Sequence, residues 1–110
     1  LDRSKDVIKR AGENIAAGEV ERVLNEHPAV AESAVIGVFD PLRDEAVKAF
    51  VVLKPGAAAS EDELKAWCAT YLAKFKVPSF VEYSADLPKT SIGKIMKYQL
   101  RAEQAPPPAP

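Results

Sequence analysis

Apolar positions along this chain change their spacing several times, and each change predicts an element. In the run VIKRAGENI from Val7 to Ile15, two short apolar clusters flank Gly12, which predicts a small hairpin or paired turn. From Glu19 to His27, Val20, Val23 and Leu24 fall on one helical face, and His27-Pro28 ends the helix. Val30 to Val38 alternates as a strand, with Ala34, Ile36 and Val38 on one side, and Asp40-Pro41 starts a turn. Ala46 to Leu53 is the partner strand, expected antiparallel to the first. Val47, Ala49, Val51 and Leu53 face one way, and Lys48, Phe50 and Val52 the other. Pro55-Gly56 has the residues of a type II turn, in which proline fixes the first central φ and glycine accepts the positive one.

The clearest pattern is a helix from Glu61 to about Ala73. Ser60 and Glu63 have capping-box spacing, and Leu64, Trp67, Cys68, Tyr71 and Leu72 recur at helical intervals, so all five are predicted core residues. Ser79 to Tyr83 reads as a third strand, Ser84 to Gly93 as a loop, and Met96 to Glu103 as a last short helix. Four prolines in the six residues from Ala105 to Pro110 supply no core and predict disorder. The expected fold is therefore α+β: a small antiparallel sheet of about three strands plus an N-terminal hairpin, packed with two to three helices. Residues 1–103 are expected to form one domain and 104–110 a proline-rich tail.

A length of 110 residues suits one compact domain and is too short for two. The formal charge is −1, and no apolar run approaches the ~20 residues that cross a bilayer. The lone Cys68 has no disulfide partner, and no paired Cys/His spacing suggests zinc, so no metal ligand is assigned. These features, with no signal peptide at the N-terminus, predict a soluble protein in a reducing, cytoplasmic setting. The abrupt opening at Leu1 predicts a piece of a longer chain. Charge is uneven: five glutamates face one arginine between Glu13 and Glu32, whereas Lys74, Lys76, Lys89, Lys94, Lys97 and Arg101 outnumber Glu82 and Asp86. Two readings stay open, a pair of solvated surfaces or a cationic C-terminal face that meets phosphates. The basic residues are too few and dispersed for a nucleic-acid footprint.

The loop LPKTSIGKI places Lys94 after Gly93, before a short helix. It is not a phosphate-binding P-loop, because Pro88 stands where a second glycine is needed and Ile95 where Ser or Thr is needed. By itself Lys94 reads as a surface lysine; the chemistry open to it is stabilisation of charge developing on a phosphoryl or carboxylate oxygen. No carboxylate pair has acid/base spacing. His27, beside Pro28, suits a helix end better than catalysis, and Cys68 lies on the apolar stripe with Leu64 and Trp67. Phe75, between Lys74 and Lys76, either offers an aromatic face flanked by cations to a nucleotide or packs beneath the third strand.

Three stretches together, DRSKDVIKRAGENIAAGEVERVL, DEAVKAFVVL and KFKVPSFVEYSADLPKTSIGKI, resemble the C-terminal domain of the acyl-CoA synthetase, luciferase and peptide-synthetase adenylation superfamily, with the landmarks in order from Leu1 to about Glu103. FDPLRDEAVKAFVVL and AKFKVPSF are most similar to crotonobetaine/carnitine-CoA ligases and some bacterial fatty-acid-CoA ligases. The resemblance implies a mobile domain that rotates between two reactions. In the first, a carboxylic acid attacks ATP, with Mg2+, to give an acyl-adenylate; in the second, CoA displaces AMP. Lys94 matches the lysine of a TxxGKI motif that contacts the α-phosphate and acyl oxygens during adenylation. Arg3 matches an arginine that closes over the ribose, and Lys5 a hinge residue. After rotation, Ala11, Gly12, Glu13 and Asn14 would line the pantetheine tunnel; many relatives have glycine where this chain has Ala11. Phe75 matches an aromatic that stacks on the CoA adenine in one branch. There the following basic residues are Val77 and Ser79 here, which leaves CoA phosphates to Lys74 or Lys76. Asp44-Glu45 stands where Gly-Glu is common.

The resemblance thus implies an AMP-forming acid-CoA ligase whose partner is its own N-terminal domain. The ATP-phosphate motifs and the acyl pocket are absent from this stretch, so it is expected to be inactive alone and to hold no bound cofactor. Two rivals remain: an adenylation domain that loads a carrier protein, and a non-catalytic α+β interaction module.

Overall fold

A computed structural model of the protein describes residues 6–104. Arg3, Lys5 and the proline-rich tail beyond 104 lie outside the described residues. The elements are β1 (Val7–Arg10), β2 (Glu13–Ala16), α1 (Ala17–Asn25), β3 (Val30–Asp40), β4 (Asp44–Leu53), α2 (Glu61–Tyr71), β5 (Phe80–Tyr83) and α3 (Lys97–Glu103), with a 3-10 turn at Lys74–Lys76.

The long β3–β4 hairpin is the centre of the fold, paired from Val30↔Leu53 to Asp40↔Asp44 with one register shift between Val30 and Glu32. Its alternation sends side chains to two different cores, as the sequence pattern predicts. Val35, Val47, Ala49 and Val51 join Ile8, Ile15, Val20, Leu24, Leu64 and Cys68 beneath α1 and α2. On the opposite face, Ala34, Ile36 and Phe50 are covered by Leu87 and by Leu100 of α3. The sheet is therefore packed on both sides, and the loop that carries Lys94 runs over the second side.

One sheet of five strands replaces the expected three strands and separate hairpin. β1 and β2 join it through the Arg10↔Asp44 pair, so the N-terminal hairpin extends the sheet. β5 pairs with β4 in parallel, from Lys48↔Phe80 to Val51↔Tyr83, where the other pairings are antiparallel. The cause is the connection: α2 lies between β4 and β5, and a helical crossover returns the chain in the same direction.

The helices follow their sequence signals with local differences. Ser60 Oγ accepts the Glu63 N–H at 3.0 Å, the first half of the capping box. The second half is not made, because the Glu63 carboxylate turns to His27 Nε2 at 3.1 Å. His27 Nδ1 accepts the Ala29 N–H at 3.0 Å, so Nε2 carries the proton given to Glu63. This histidine pins the turn between α1 and β3 to α2. Trp67 adds a second tie by donating its indole N–H to the Val23 carbonyl at 2.8 Å. Leu64, Cys68 and Leu72 are buried, but Tyr71 is 58% exposed and is not a core residue. The helix stops at Tyr71, Leu72 is already extended, and the tyrosine ring only leans on Trp67 at 5.1 Å between centroids. The Pro55-Gly56 turn closes through Ala57 N–H to Lys54 O at 3.0 Å, with Gly56 at φ +75°.

Candidate functional site

Lys94 stands at the tip of a small turn whose construction explains its spacing from Thr90. The Thr90 N–H donates to the Lys94 carbonyl at 2.7 Å, and Thr90 Oγ1 accepts the Lys94 N–H at 3.1 Å. Gly93, at φ +88°, donates to the Thr90 carbonyl at 2.9 Å; the left-handed backbone there is the reason for glycine. Beneath the turn, Lys89 and Ile95 pair across the stem, and Met96 N–H donates to the Pro88 carbonyl at 2.8 Å. A threonine at the first place of TxxGK is thus a structural closure, which sequence reading left without a role. The residues from Ser91 to Lys94 are exposed, with Ile92 at 81%.

Both stems of this turn are fastened by ion pairs. Upstream, Lys89 Nζ lies 2.8 Å from both Glu32 on β3 and Asp86. Hydrogen bonds to Asp86 and Glu32 raise the Lys89 pKa, and the bond from Lys89 helps to lower that of Asp86. Downstream, Lys97 meets Asp6 at 2.8 Å and Glu21 of α1, and Arg101 reaches Asp6 at 3.2 Å.

These pairs change the picture of a cationic C-terminal face. Glu19, Glu21 and Glu32 of the acidic stretch neutralise Lys76, Lys97 and Lys89 of the basic one. The two uneven segments are halves of one internal charge match. Lys74 and Lys94 are exposed, and among the described residues neither has a carboxylate within ion-pairing distance of its ammonium. The cationic face is thereby reduced to single, separated lysines.

The residues expected to meet CoA fall into two groups. Ala11 and Gly12 form the β1–β2 turn, both with positive φ, +51° and +85°. Such a pair is the primed turn that suits a two-residue hairpin, a conformation that glycine would adopt at Ala11 without strain. Ala11, Gly12, Glu13 and Asn14 are all exposed, and a Cβ on Gly12 would meet nothing within 4 Å. The neighbouring β3–β4 turn shares the pattern. Asp40 Oδ1 accepts the N–H groups of Leu42 and Arg43, which lowers its pKa, and Asp44 sits at φ +67°. Asp44 opens β4 directly after the loop of residues 41–43, in a left-handed conformation that glycine would adopt without strain. Glu45 accepts the Lys9 N–H at 2.8 Å while its carboxylate lies over Gly37, where a Cβ would come within 2.8 Å of it.

The second group, Lys74, Phe75 and Lys76, forms the 3-10 turn after α2. Phe75 is half-buried and packs against the larger core, so it does not offer an open face. The Lys76 ammonium lies 5.7 Å from the centre of the Phe75 ring and 2.8 Å from Glu19. Of the two lysines read as phosphate contacts, Lys74 is the exposed one and Lys76 is engaged. Among the described residues no hydrogen bond or ion pair joins the Lys94 turn, the Ala11-Gly12 turn and the Lys74–Lys76 turn, so each presents itself separately at the surface.

Cys68 is buried, and desolvation pushes its thiol up to about 11, which leaves it a core residue and no nucleophile. Among the described residues there is no group of three or more His, Cys, Asp or Glu side chains placed to hold a metal ion, and no helix long and apolar enough to cross a membrane.

Comparison with known proteins supplies a family. Crotonobetaine/carnitine-CoA ligase of Citrobacter koseri is 48% identical over 101 residues, which is 92% of this chain and 20% of that protein. The structure of an acyl-CoA synthetase from Brucella canis superposes with a TM-score of 0.87 at 42% identity, over 93% of this chain and 19% of that one. ATP-bound MatB from Rhodopseudomonas palustris also gives 0.87, at 37% identity, over 91% of this chain and 20% of that one. The chain spans about a fifth of the length of these relatives. Residues 19–94 match the AMP-binding enzyme C-terminal domain, the segment that contains β3, β4, β5, α2 and the lysine turn. The chain belongs to the AMP-binding enzyme C-terminal domain family.

Proposed function

We propose that this chain is the rotating C-terminal domain of an ATP-dependent acid-CoA ligase and that it delivers Lys94 to the reacting phosphate. The observation that carries the reading is the Lys94 turn: an exposed ammonium, free of carboxylates among the described residues, on a tip whose two stems are tied down. Such a group binds oxygens on which negative charge grows, and holding it in place beforehand lowers the cost of reaching the transition state. During adenylation the lysine positions the acid carboxylate against the α-phosphate and compensates the charge on the transferring group. It has no role as a base.

Arg3 and Lys5 extend this reading, as the ribose contact and the hinge whose backbone torsions swing the domain. In the second half of the cycle Ala11, Gly12 and Glu13 would flank the pantetheine arm, for which open space beside Gly12 gives support. Lys74 is the better placed cation for a CoA phosphate, because Lys76 is held by Glu19. Phe75 acts from beneath as packing for that turn. ATP, Mg2+, CoA and the acid are substrates and ion of the whole enzyme, whose N-terminal domain is the partner. A cytoplasmic location belongs to the same reading.

The test uses the full-length enzyme that contains this chain. Lys94→Ala should lower pyrophosphate release by roughly 10²–10³-fold, in the range seen when a preorganised charge contact is removed. Conversion of supplied acyl-adenylate and CoA to thioester should persist. Full adenylation by Lys94→Ala would overturn the role, and product formation only with a carrier-protein phosphopantetheine would favour the carrier-loading reading.

A further inference from the structure

Lys97 is three residues past Lys94, yet its side chain turns inward, only 14% exposed, and meets Asp6, the residue just before β1. Its ammonium lies 2.8 and 3.0 Å from the two oxygens of Asp6, which is 91 positions away in sequence. Glu21 of α1 closes the other side, and the same Glu21 oxygen accepts the Val35 N–H of β3 at 2.8 Å. Arg101, one helical turn further along α3, shares Asp6 at 3.2 Å. Among the described residues, two cations and two carboxylates thus meet in a half-buried cluster that joins the start of β1, α1, β3 and α3.

We propose that Asp6 and Lys97 are a positioning couple that fixes the Lys94 turn relative to the point where the domain is swung. The inference rests on the reading of Lys94 and Lys5 given above. Asp6 directly follows Lys5, so a rotation applied at the hinge reaches Lys97 through one contact and Lys94 through three more residues. Without Lys97 the turn keeps its upstream tie, Lys89 to Glu32, and can pivot about that stem. A displacement of about 1 Å at a reacting group is enough to cost on the order of 10²-fold in rate. Only the step that uses Lys94 should feel this, since the thioester-forming step presents a different face of the domain.

The experiment measures both half-reactions of the full-length enzyme for Lys97→Met, Lys97→Arg, Asp6→Asn and the double variant Asp6→Asn/Lys97→Met, with Lys94→Ala as reference. Lys97→Met should lower kcat for adenylation by at least about tenfold with KM for ATP nearly unchanged, the split expected when positioning and not binding is lost. Thioester formation from supplied acyl-adenylate should stay within roughly twofold, and Lys97→Arg should restore most of the adenylation rate. The double variant should be no slower than the worse single, because the two residues act as a unit. Parallel loss of both half-reactions would reduce the cluster to a fold-stabilising one, and unchanged adenylation in Lys97→Met would likewise overturn the proposal. If Lys94→Ala itself leaves adenylation intact, it is the underlying reading of Lys94 that fails.

Discussion

The backbone N–H of Ala11 donates to the carbonyl of Arg43 at 2.9 Å, so the tips of the two hairpins are fastened to each other. Both tips contain a residue with a side chain in the left-handed region, Ala11 at φ +51° and Asp44 at φ +67°. For alanine that conformation costs about 1 kcal/mol or more, and for aspartate less, because its short polar side chain tolerates it. Ala11→Gly should therefore stabilise the chain by roughly 0.5–1 kcal/mol, the relief of strain being partly offset by the greater freedom of glycine when unfolded. Asp44→Val should destabilise it by more than about 1 kcal/mol. Urea unfolding of the three proteins checks both signs.

Acid should weaken the fold through two turn carboxylates. Asp40 is held below its ordinary pKa chiefly by the Leu42 N–H, and Asp86 chiefly by the Lys89 side chain. A lowered carboxyl pKa contributes stability that is complete above the unfolded value and is lost as pH falls through the folded one. Lys89, whose pKa is raised, works at the other end: its contribution is complete below the unfolded value near 10.5 and disappears as pH climbs past the folded one. Thermal midpoints should decline below about pH 4, and less steeply in the Asp40→Asn/Asp86→Asn double variant than in the parent.

Cys68 should be silent toward thiol reagents. Burial raises its pKa to about 11, so at pH near 8 neither the thiolate nor access to it is present in the native state. A disulfide reagent should modify it only as fast as the domain unfolds, and in step with urea concentration. Rapid stoichiometric labelling of the native protein would contradict the packing of α2 on the sheet.

Trp67 offers a spectroscopic check on the contact between α1 and α2. Trp67→Phe keeps most of the ring but deletes the N–H donated to Val23, and should cost about 1 kcal/mol in unfolding free energy. Trp67→Ala should cost about 3–5 kcal/mol, because the ring also packs edge-on to His27 at 4.9 Å and beside the core. Since this is the single tryptophan, its emission reports the same interface in every other variant.

The long hairpin and the amphipathic helices were legible in the sequence because burial on a two-sided sheet imposes alternation and burial of a helix face imposes helical spacing. Val47, Ala49 and Val51 went to one core and Phe50 to the other in keeping with that rule. Tyr71 broke it, because periodicity says which face a residue occupies and not how close to the helix end the cover stops. The direction of β5 was signalled by the helix between it and β4, a cue about connection that a strand pattern does not contain. For the site, the exposed Lys94 and the Ala11-Gly12 turn were visible through motif and glycine placement. The pairs Glu19–Lys76, Glu21–Lys97 and Glu32–Lys89 were not, since opposite charges distant in sequence look like two separate surfaces until the fold brings them together.

That long-range pairing also sets an order of assembly during synthesis. The anchors of the lysine turn emerge early, with Glu32 57 positions before Lys89 and Asp6 91 positions before Lys97. The hairpin and α1 can collapse while the ribosome is still translating, but the turn gains its downstream fastening only when α3 has left the exit tunnel. A nascent chain paused just after Lys94 would hold the whole sheet and the Lys89–Glu32 tie, and present the lysine on a turn anchored at one stem alone.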